Sequence, residues 1–315
     1  MAYLKLIRIG NVLFIGFFQL LLRWGLILPI LEQWGIEPAM TTMQFVILVV
    51  ATMSIAASGN AINDYFDVRC DSINRPDTQV VDKLIDRKVA ILIHVVLSLV
   101  GVFCGLYISF VFRKESYALM FIAVPILLWF YSTHFKKQML IGNLIVALLT
   151  ALVAFLVVSA EIAAIVAAGQ ADILQNEACR LAWGYTAVFA FFAFTTNLAR
   201  EIVKDMEDID GDIECGGHTI PIEMGMRNSK IVVVLLQLLI IVVLWLAYFD
   251  VNAINSVPYL WLYLVLCITI PILLVIYLTI KAQNNKNYHT ISKLCKVVMF
   301  LGILPILLMR LVFKM

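Results

Sequence analysis

The sequence predicts an all-α integral membrane protein with nine transmembrane helices, and two observations carry that prediction. Of the 315 residues, 63% are hydrophobic and 14% are charged, whereas soluble domains are about half apolar and about a quarter charged. Apolar runs long enough to cross a bilayer, which takes roughly 20 residues, recur along the whole chain. A soluble chain of this length could not bury so much apolar surface, so the bilayer must be the solvent for most of it.

The apolar runs predict nine spans in a single domain that covers residues 1–315. The first run follows Met1–Arg8 without a small-residue cleavage site, so we interpret it as a retained first helix. A window of about 20 residues places the spans near residues 10–31, 42–62, 89–112, 118–133, 140–160, 182–200, 229–249, 257–280 and 295–313.

The positions of the 23 Lys and Arg residues test the number of spans. If the N-terminus is inside, most of them fall in cytoplasmic segments. The outer segments contain only Arg113, Lys114, Arg180 and Lys314. This asymmetry fits the positive-inside rule, so we expect a cytoplasmic N-terminus and an external C-terminus. We expect the membrane to be the inner (plasma) membrane of a prokaryote.

Two of the predicted cytoplasmic loops, near residues 63–88 and 200–228, are longer than the rest and rich in Asp. They predict acidic caps at one end of the helix bundle. In the first loop, residues 80–88 alternate apolar pairs with charges at helical spacing. Either a short amphipathic helix on the membrane surface or a solvated connector fits this pattern.

Each acidic loop contains one motif with aspartates at positions i, i+3 and i+7. The first motif covers residues 63–71 (NDYFDVRCD), and the second motif covers residues 204–212 (KDMEDIDGD). On a helix, these positions share one face. Because both motifs stand at cytoplasmic helix ends, we expect them to converge on one cavity. The aspartates are Asp64, Asp67 and Asp71, and Asp205, Asp208 and Asp212.

Three carboxylates on one helix face repel each other, and a bound cation would remove that repulsion. Carboxylates with open positions for water and phosphate oxygens suit Mg²⁺. Two such faces predict two or three Mg²⁺ ions around one diphosphate, where they would neutralise charge on the leaving group. A solvated acidic segment explains one motif but not two matching copies. Neither motif has the D-x-D-x-D-G pattern of a calcium-binding EF-hand.

The chain resembles the UbiA superfamily of membrane prenyltransferases over nearly its whole length. Residues 59–77 (GNAINDYFD through INRPD) resemble the first signature of the family, and residues 200–212 (REIVKDMEDIDGD) resemble the second. Tyr131, Lys136 and Asn143 stand in a segment that is similar to the one between its fourth and fifth spans. Arg8 and Asn11 resemble its opening R-P-x-N, with Ile9 in place of the proline.

The resemblance implies a bundle of nine helices with a lateral prenyl tunnel and acidic cap loops at the cytoplasmic end. It also implies Mg²⁺-dependent transfer of a prenyl group from a prenyl diphosphate through an allylic carbocation. The residues implied in Mg²⁺ ligation are Asn63, Asp64, Asp67, Asp71, Asp205, Asp208 and Asp212. The residues implied in diphosphate binding are Asn11, Asn63, Arg75, Lys136, Arg200 and Lys204. Glu201 would orient a metal-bound water or a lysine, while His218 replaces a residue that is often basic in the family.

The resemblance leaves the acceptor and the chain length of the prenyl donor equally open. Within the superfamily, the two signatures are most similar to the enzymes that attach a geranylgeranyl group to geranylgeranylglyceryl phosphate. The alternative acceptors are the aromatic quinone precursors 1,4-dihydroxy-2-naphthoate and 4-hydroxybenzoate. All of these acceptors carry an anion, so basic residues do not discriminate between them.

Other classes of function fit the sequence less well. The D-G-x-x-A-R-x8-G-x3-D-x3-D motif of CDP-alcohol phosphotransferases is absent. A transporter would place ionisable groups at broken helices within its spans, and the predicted spans hold almost no acids. A non-catalytic binding role explains neither motif, and no basic run suggests nucleic acid. We assign Lys137 to membrane anchoring and His94, His134 and His289 to no site. Phe191, Phe192 and Phe194 would either shield a carbocation or simply pack.

Overall fold

The computed structural model describes residues 1–250 and 259–313, and the regular structure of these residues is helical. Residues 257 and 258 of the predicted eighth span and Lys314 lie outside the described residues. The helices are α1 (Ala2–Leu6), α2 (Ile9–Gln33), α3 (Thr42–Phe66), α4 (Val68–Asn74), α5 (Arg87–Val111), α6 (Glu115–Thr133), α7 (Ile141–Ala167), α8 (Glu177–Glu207), α9 (Ile209–Glu214), α10 (Ile220–Asp250), α11 (Leu260–Lys281), α12 (Asn285–Ile303) and α13 (Pro305–Phe313).

Among the described residues, nine helical segments are long and apolar enough to cross a membrane, which confirms the predicted number. They are α2, α3, α5, α6, α7, α8, α10, α11 and the continuous stretch Asn285–Arg310 of α12 and α13. The short helices α1, α4 and α9 lie between or before these spans. The predicted all-α integral membrane fold is therefore confirmed.

The described chain divides into two compact units. Unit 1 comprises Met1–Leu20, Glu37–Lys136 and Ser159–Asn176, and unit 2 comprises Leu21–Ile36, Lys137–Val158 and Glu177–Met315, of which residues 251–258, 314 and 315 are not described. Helices α2 and α7 contribute residues to both units.

In unit 1, α5 packs closely against α3 and α6 because two of its positions are glycine. A Cβ at Gly101 would lie 2.5 Å from Cγ1 of Ile55, and a Cβ at Gly105 would overlap the ring of Phe121. Small residues let membrane helices approach each other at this distance. The first turn of α3 is fixed by a capping box between Thr41 and Gln44.

The segment before α5 is not an amphipathic helix, so that interpretation of residues 80–88 is wrong, and the segment is a connector with exposed charges and three buried apolar side chains. Residues 81–85 form a tight turn closed by a bridge between Val81 and Ile85, with Asp82 in the left-handed region at φ 69°. Val80, Val81 and Ile85 are buried in a cluster with Leu6 of α1. Burial of these apolar side chains stabilises the turn more than an exposed helix face would.

In unit 2, α8 packs against α10 and α12. A glycine again permits the approach, because a Cβ at Gly302 of α12 would overlap the ring of Phe192 on α8. Helix α10 is kinked at Gly225, which has φ 78°, a backbone conformation open mainly to glycine.

Two spanning helices continue beyond the predicted ends of their spans. Helix α3 continues from residue 62 to Phe66, and α8 continues from residue 200 to Glu207. The first aspartate of each motif therefore lies in the last turns of a spanning helix rather than in a loop.

Candidate functional site

The first motif crosses a junction between two helices of unit 1. Asp64 lies in the last turn of α3, Asp67 stands between α3 and α4 with φ −86° and ψ 0°, and Asp71 belongs to α4. The N–H of Asp67 donates to the carbonyl of Asn63 (3.0 Å), and the N–H of Asp71 donates to the carbonyl of Asp67 (2.8 Å). Helical hydrogen bonding therefore continues across the junction between the two helices, and the shared helical face of the three aspartates stays a prediction.

The second motif repeats this arrangement in unit 2. Asp205 lies in the last turn of α8, Asp208 stands at the junction with φ −98° and ψ 11°, and Asp212 belongs to α9. The N–H of Asp208 donates to the carbonyl of Lys204 (2.8 Å), and the N–H of Asp212 donates to the carbonyl of Asp208 (3.1 Å). The equal spacing of the two motifs is thus matched by an equal backbone geometry.

Two basic side chains form ion pairs with carboxylates of the first motif. Arg8 contacts Oδ1 of Asp64 at 2.8 Å, and Lys136 forms an ion pair with Asp67. Nδ2 of Asn63 donates to the other carboxylate oxygen of Asp67 at 2.6 Å. The side chains of Asp64 and Asp67 are only 12% and 17% exposed, so these cations reach carboxylates that water reaches poorly.

The second motif has different neighbours in unit 2. Nδ2 of Asn143 donates to Oδ2 of Asp205 at 2.7 Å. Arg200 and Lys204 both bind the buried carboxylate of Glu201, at 2.6 Å and 2.8 Å. The predicted pairing of Glu201 with a lysine is present, and the two predicted diphosphate-binding cations share this one carboxylate.

Helix α12 also reaches the second motif. Nδ1 of His289 lies 2.8 Å from a carboxylate oxygen of Glu207, and Nδ2 of Asn285 lies 3.5 Å from Oδ2 of Asp210. Both acidic residues stand beside the junction at Asp208. The start of α12 therefore holds the segment that carries the second motif.

The remaining predicted site residues are placed by their backbone contacts. Arg75 follows α4, and its N–H donates to the carbonyl of Asp71 at 2.8 Å. Asn11 lies in the first turn of α2, and its N–H donates to the carbonyl of Arg8 at 2.8 Å. Both residues thus stand directly beside residues that carry or contact the first motif in unit 1.

Sequence reasoning missed several contacts of the two motifs. Arg8 and Asn143 were noted only as parts of segments similar to the family, and no spacing rule pairs them with Asp64 and Asp205. His289 was assigned no site, yet it contacts Glu207. Partners from distant parts of the chain leave no periodic signal.

Lys137 and Glu161 also have contacts that the sequence analysis did not predict. Lys137 was assigned to membrane anchoring, yet its Nζ donates to the carbonyl of Cys215 at 3.0 Å and its carbonyl accepts the N–H of His218 at 2.7 Å. Glu161 directly follows the predicted fifth span (140–160), and α7 continues to Ala167 and buries it. One of its oxygens accepts the N–H of Met40 at 3.4 Å.

The donor atoms of the first motif fit a magnesium ion. Among the described residues, no three His, Cys, Asp or Glu side chains converge on one point. Mg²⁺ does not require that, since it is usually held by one or two carboxylates together with water and phosphate oxygens. Oδ1 of Asn63 is buried without a hydrogen-bond partner, and a buried acceptor of this kind requires an explanation. A hard cation beside Asn63 and Asp67 would satisfy it.

Unit 2 also contains an apolar cavity of about 50 Å³. Its walls come from α8, α10, α11, α12 and α13, and the aromatic residues among them are Tyr185, Phe189, Phe192 and Tyr248. Of the three phenylalanines considered as carbocation shields, Phe192 lines this cavity. Its ring also packs at Gly302, so packing accounts for its position.

Comparisons with known proteins give one consistent result. The model of the UbiA prenyltransferase family matches residues 30–304. A digeranylgeranylglyceryl phosphate synthase from Thermococcus gammatolerans is 31% identical over 269 residues, which cover 84% of this chain and 86% of that protein.

Solved structures share the fold. A structure described as digeranylgeranylglyceryl phosphate synthase in membranes superposes with a TM-score of 0.58 at 22% identity, covering 97% of this chain and 98% of that chain. A UbiA homolog from Archaeoglobus fulgidus bound to DMAPP and Mg²⁺ superposes with a TM-score of 0.50 at 15% identity, covering 98% and 99% of the two chains. At these identities the similarity shows a common fold.

Proposed function

Since the chain belongs to the UbiA prenyltransferase family, we propose that it transfers a geranylgeranyl group from geranylgeranyl diphosphate to geranylgeranylglyceryl phosphate. The observation that carries this proposal is the pair of matching helix junctions, each with an aspartate between a spanning helix and a short helix. The synthase from T. gammatolerans supports the choice of acceptor, because the similarity extends over 84% of this chain.

Both motifs would hold Mg²⁺ in this proposal. The residues that would hold Mg²⁺ are Asn63, Asp64, Asp67, Asp71, Asp205, Asp208 and Asp212. Bound Mg²⁺ would neutralise the charge that develops on the diphosphate as it leaves. The A. fulgidus homolog, which binds DMAPP and Mg²⁺, supports this choice of metal.

Lys136 and Arg8 supply positive charge beside the first motif. Each contacts a carboxylate of that motif directly, so each stands where diphosphate oxygens would bind. Asn11, Asn63, Arg75, Arg200 and Lys204 complete the proposed set of diphosphate-binding residues. Fixed cations aimed at a developing negative charge lower the barrier to ionisation.

The proposed reaction exchanges one C–O bond for another. The bond between C1 of the prenyl chain and the diphosphate oxygen breaks, and its electron pair leaves with the diphosphate. The allylic carbocation that remains is attacked by the hydroxyl oxygen of the acceptor. The hydroxyl proton passes to the released diphosphate, so no oxidant or reductant is required.

The prenyl chain requires an apolar path, and the cavity in unit 2 supports a tunnel that includes α8, α10 and α12. A Trp at Ala247, which lines this cavity, would fill part of it. We expect Ala247→Trp to shift the preference towards shorter prenyl diphosphates, measured by competition between donors of different length. An unchanged preference would exclude this cavity from the tunnel.

An assay with purified protein tests the proposed activity. The protein in detergent would be incubated with Mg²⁺ and radiolabelled geranylgeranyl diphosphate in three separate reactions. Each reaction would contain one acceptor: geranylgeranylglyceryl phosphate, 1,4-dihydroxy-2-naphthoate or 4-hydroxybenzoate. We expect a radiolabelled product only with the glycerol phosphate lipid and only before chelation of Mg²⁺. Turnover of an aromatic acceptor alone would reject the proposed acceptor and keep prenyl transfer.

We also propose that the protein lies in the inner membrane of a prokaryote, with its N-terminus and both motifs in the cytoplasm and its C-terminus outside. The distribution of Lys and Arg supports this orientation. Alkaline phosphatase fused to the C-terminus should be active outside the membrane, and green fluorescent protein fused there should be dark. The reverse result would overturn the orientation.

A further inference from the structure

The link between α1 and α2 in unit 1 is held at three consecutive residues. The side chain of Leu6 is fully buried in the cluster that contains Val81. The carbonyl of Ile7 accepts a hydrogen bond from Nδ2 of Asn60 at 2.9 Å. The guanidinium of Arg8 contacts Asp64 at 2.8 Å. Side chain, backbone and charge are thus each fixed by a separate contact.

Arg8 has an unusual backbone conformation. Its φ of 50° lies in the left-handed region, which residues other than glycine rarely adopt. Such a conformation persists where the surrounding structure holds it. The peptide plane before Arg8 contains the carbonyl of Ile7, and its orientation sets the φ angle of Arg8. A hydrogen bond to that carbonyl therefore restrains the angle directly.

One face of α3 provides both restraints. Asn60 and Asp64 are four residues apart, so they lie on the same side of the helix. Asn60 binds the backbone before Arg8, and Asp64 binds the side chain of Arg8. The position of the guanidinium is thus defined from two successive turns of the helix that carries the first motif.

We propose that Asn60 is a positioning residue of the diphosphate site, which acts by keeping Arg8 in the backbone conformation that aims its guanidinium at Asp64. This inference rests on the proposed function, in which Asp64 and Arg8 belong to that site. A planar guanidinium suits both carboxylate and phosphate, so its orientation affects donor binding. Asn60 itself binds the carbonyl of Ile7, so it would act on the donor through Arg8.

The first experiment replaces Asn60 by Leu, which has a similar size and no amide. We expect the KM for geranylgeranyl diphosphate to rise about tenfold, as for the loss of one net hydrogen bond, with kcat changed less than about twofold. Asn60→Gln, which keeps the amide on a longer side chain, should restore part of the affinity. Asn60→Asp removes the donor at constant shape and serves where Asn60→Leu fails to fold.

A double-mutant cycle distinguishes positioning from a merely structural role. If Asn60 acts through Arg8, Asn60→Leu should cost nothing further in an Arg8→Ala background. A general loss of stability would instead add to the effect of Arg8→Ala. Asn228→Leu is the matched control, because Nδ2 of Asn228 donates to the carbonyl of Met224, also at 2.9 Å, and Asn228 belongs to neither motif.

Binding of Mg²⁺-pyrophosphate, measured by calorimetry on the same variants, separates failure of the inference from failure of the proposed function. Wild-type protein that binds pyrophosphate without transferring geranylgeranyl would reject the proposed function alone. Unchanged pyrophosphate binding in Asn60→Leu, or a loss that adds fully to that of Arg8→Ala, would overturn the role of Asn60.

Discussion

The first and second motifs share a sequence pattern and a backbone geometry, but their electrostatic surroundings differ. In unit 1, Asp64 and Asp67 are contacted by two cations from distant parts of the chain, Arg8 and Lys136. In unit 2, the contact to Asp205 comes from the neutral amide of Asn143, and the local cations bind Glu201.

This difference suggests a division of labour within the proposed site. Direct cations equip the first motif to bind the diphosphate, since Arg and Lys form charge-assisted hydrogen bonds with phosphate. The amide of Asn143 would instead orient the carboxylate of Asp205 towards a metal ion. Changes around the first motif should therefore weaken donor affinity, and changes around the second should raise the Mg²⁺ concentration required.

Removal of either junction aspartate should have the largest effect. We expect Asp67→Ala and Asp208→Ala each to lower kcat/KM at least about 1,000-fold. Each substitution removes a carboxylate that would hold the Mg²⁺ that stabilises the leaving diphosphate. Turnover with radiolabelled donor measures the loss, and circular dichroism checks that the helices remain.

The exposed Asp77 provides the control, and Asp77→Ala should retain full activity. Because residues that act as a unit are not additive, the double variant should be no worse than either single one. Retained activity in one junction variant would remove that aspartate from the site and end the equivalence of the two motifs.

The fold was more accessible from sequence than the site contacts, for a physical reason. Membrane spans depend on the summed hydropathy of about 20 residues, so the nine spans were predictable. The ends of two helices differed from the prediction, because α3 continues to Phe66 and α8 continues to Glu207. The kinks at Asp67 and Asp208 depend on local backbone angles that spacing does not encode. Lys136 on Asp67 joins residues 69 positions apart, and such a pair becomes visible only when the chain is folded.

Substitution of Lys136 should distinguish the roles of the two motifs most clearly. We expect Lys136→Met to lower kcat/KM roughly 100-fold, mainly through KM for the donor, since hydrogen bonds to charged groups contribute about 1.5–3 kcal/mol. Asn143→Leu, the matched change at the second motif, should cost roughly 10-fold and raise the Mg²⁺ requirement. Mg²⁺ titrations at several donor concentrations measure both parameters, and identical profiles for the two variants would contradict the division of labour.

Gly302 tests how far the second motif depends on the packing of α12 against α8. A Cβ at this position would overlap the ring of Phe192, and overpacking of this kind costs about 1–3 kcal/mol. We expect Gly302→Ala to lower the thermal unfolding temperature in detergent and to raise the Mg²⁺ requirement.

Gly184 of α8 is the control for this substitution, because a Cβ there meets no atom within 4 Å. Ala is a better helix former than Gly by about 1 kcal/mol, so Gly184→Ala should leave stability equal or higher. Equal unfolding temperatures for both variants would show that α12 moves freely away from Phe192.

The smallest effect should come from His289, which contacts Glu207 from the first turns of α12 at a partly exposed position. We expect His289→Leu to lower kcat/KM about fivefold, because an exposed polar contact contributes about 1 kcal/mol or less. His289→Asn places an amide donor close to the position of Nδ1 and should recover most of the activity. His289→Leu should raise the Mg²⁺ requirement and leave donor KM unchanged, since it loosens only the segment that carries the second motif. A larger effect on donor KM than on the Mg²⁺ requirement would show that the second motif contributes to donor binding as much as the first. The different neighbours of the two motifs would then have no functional consequence.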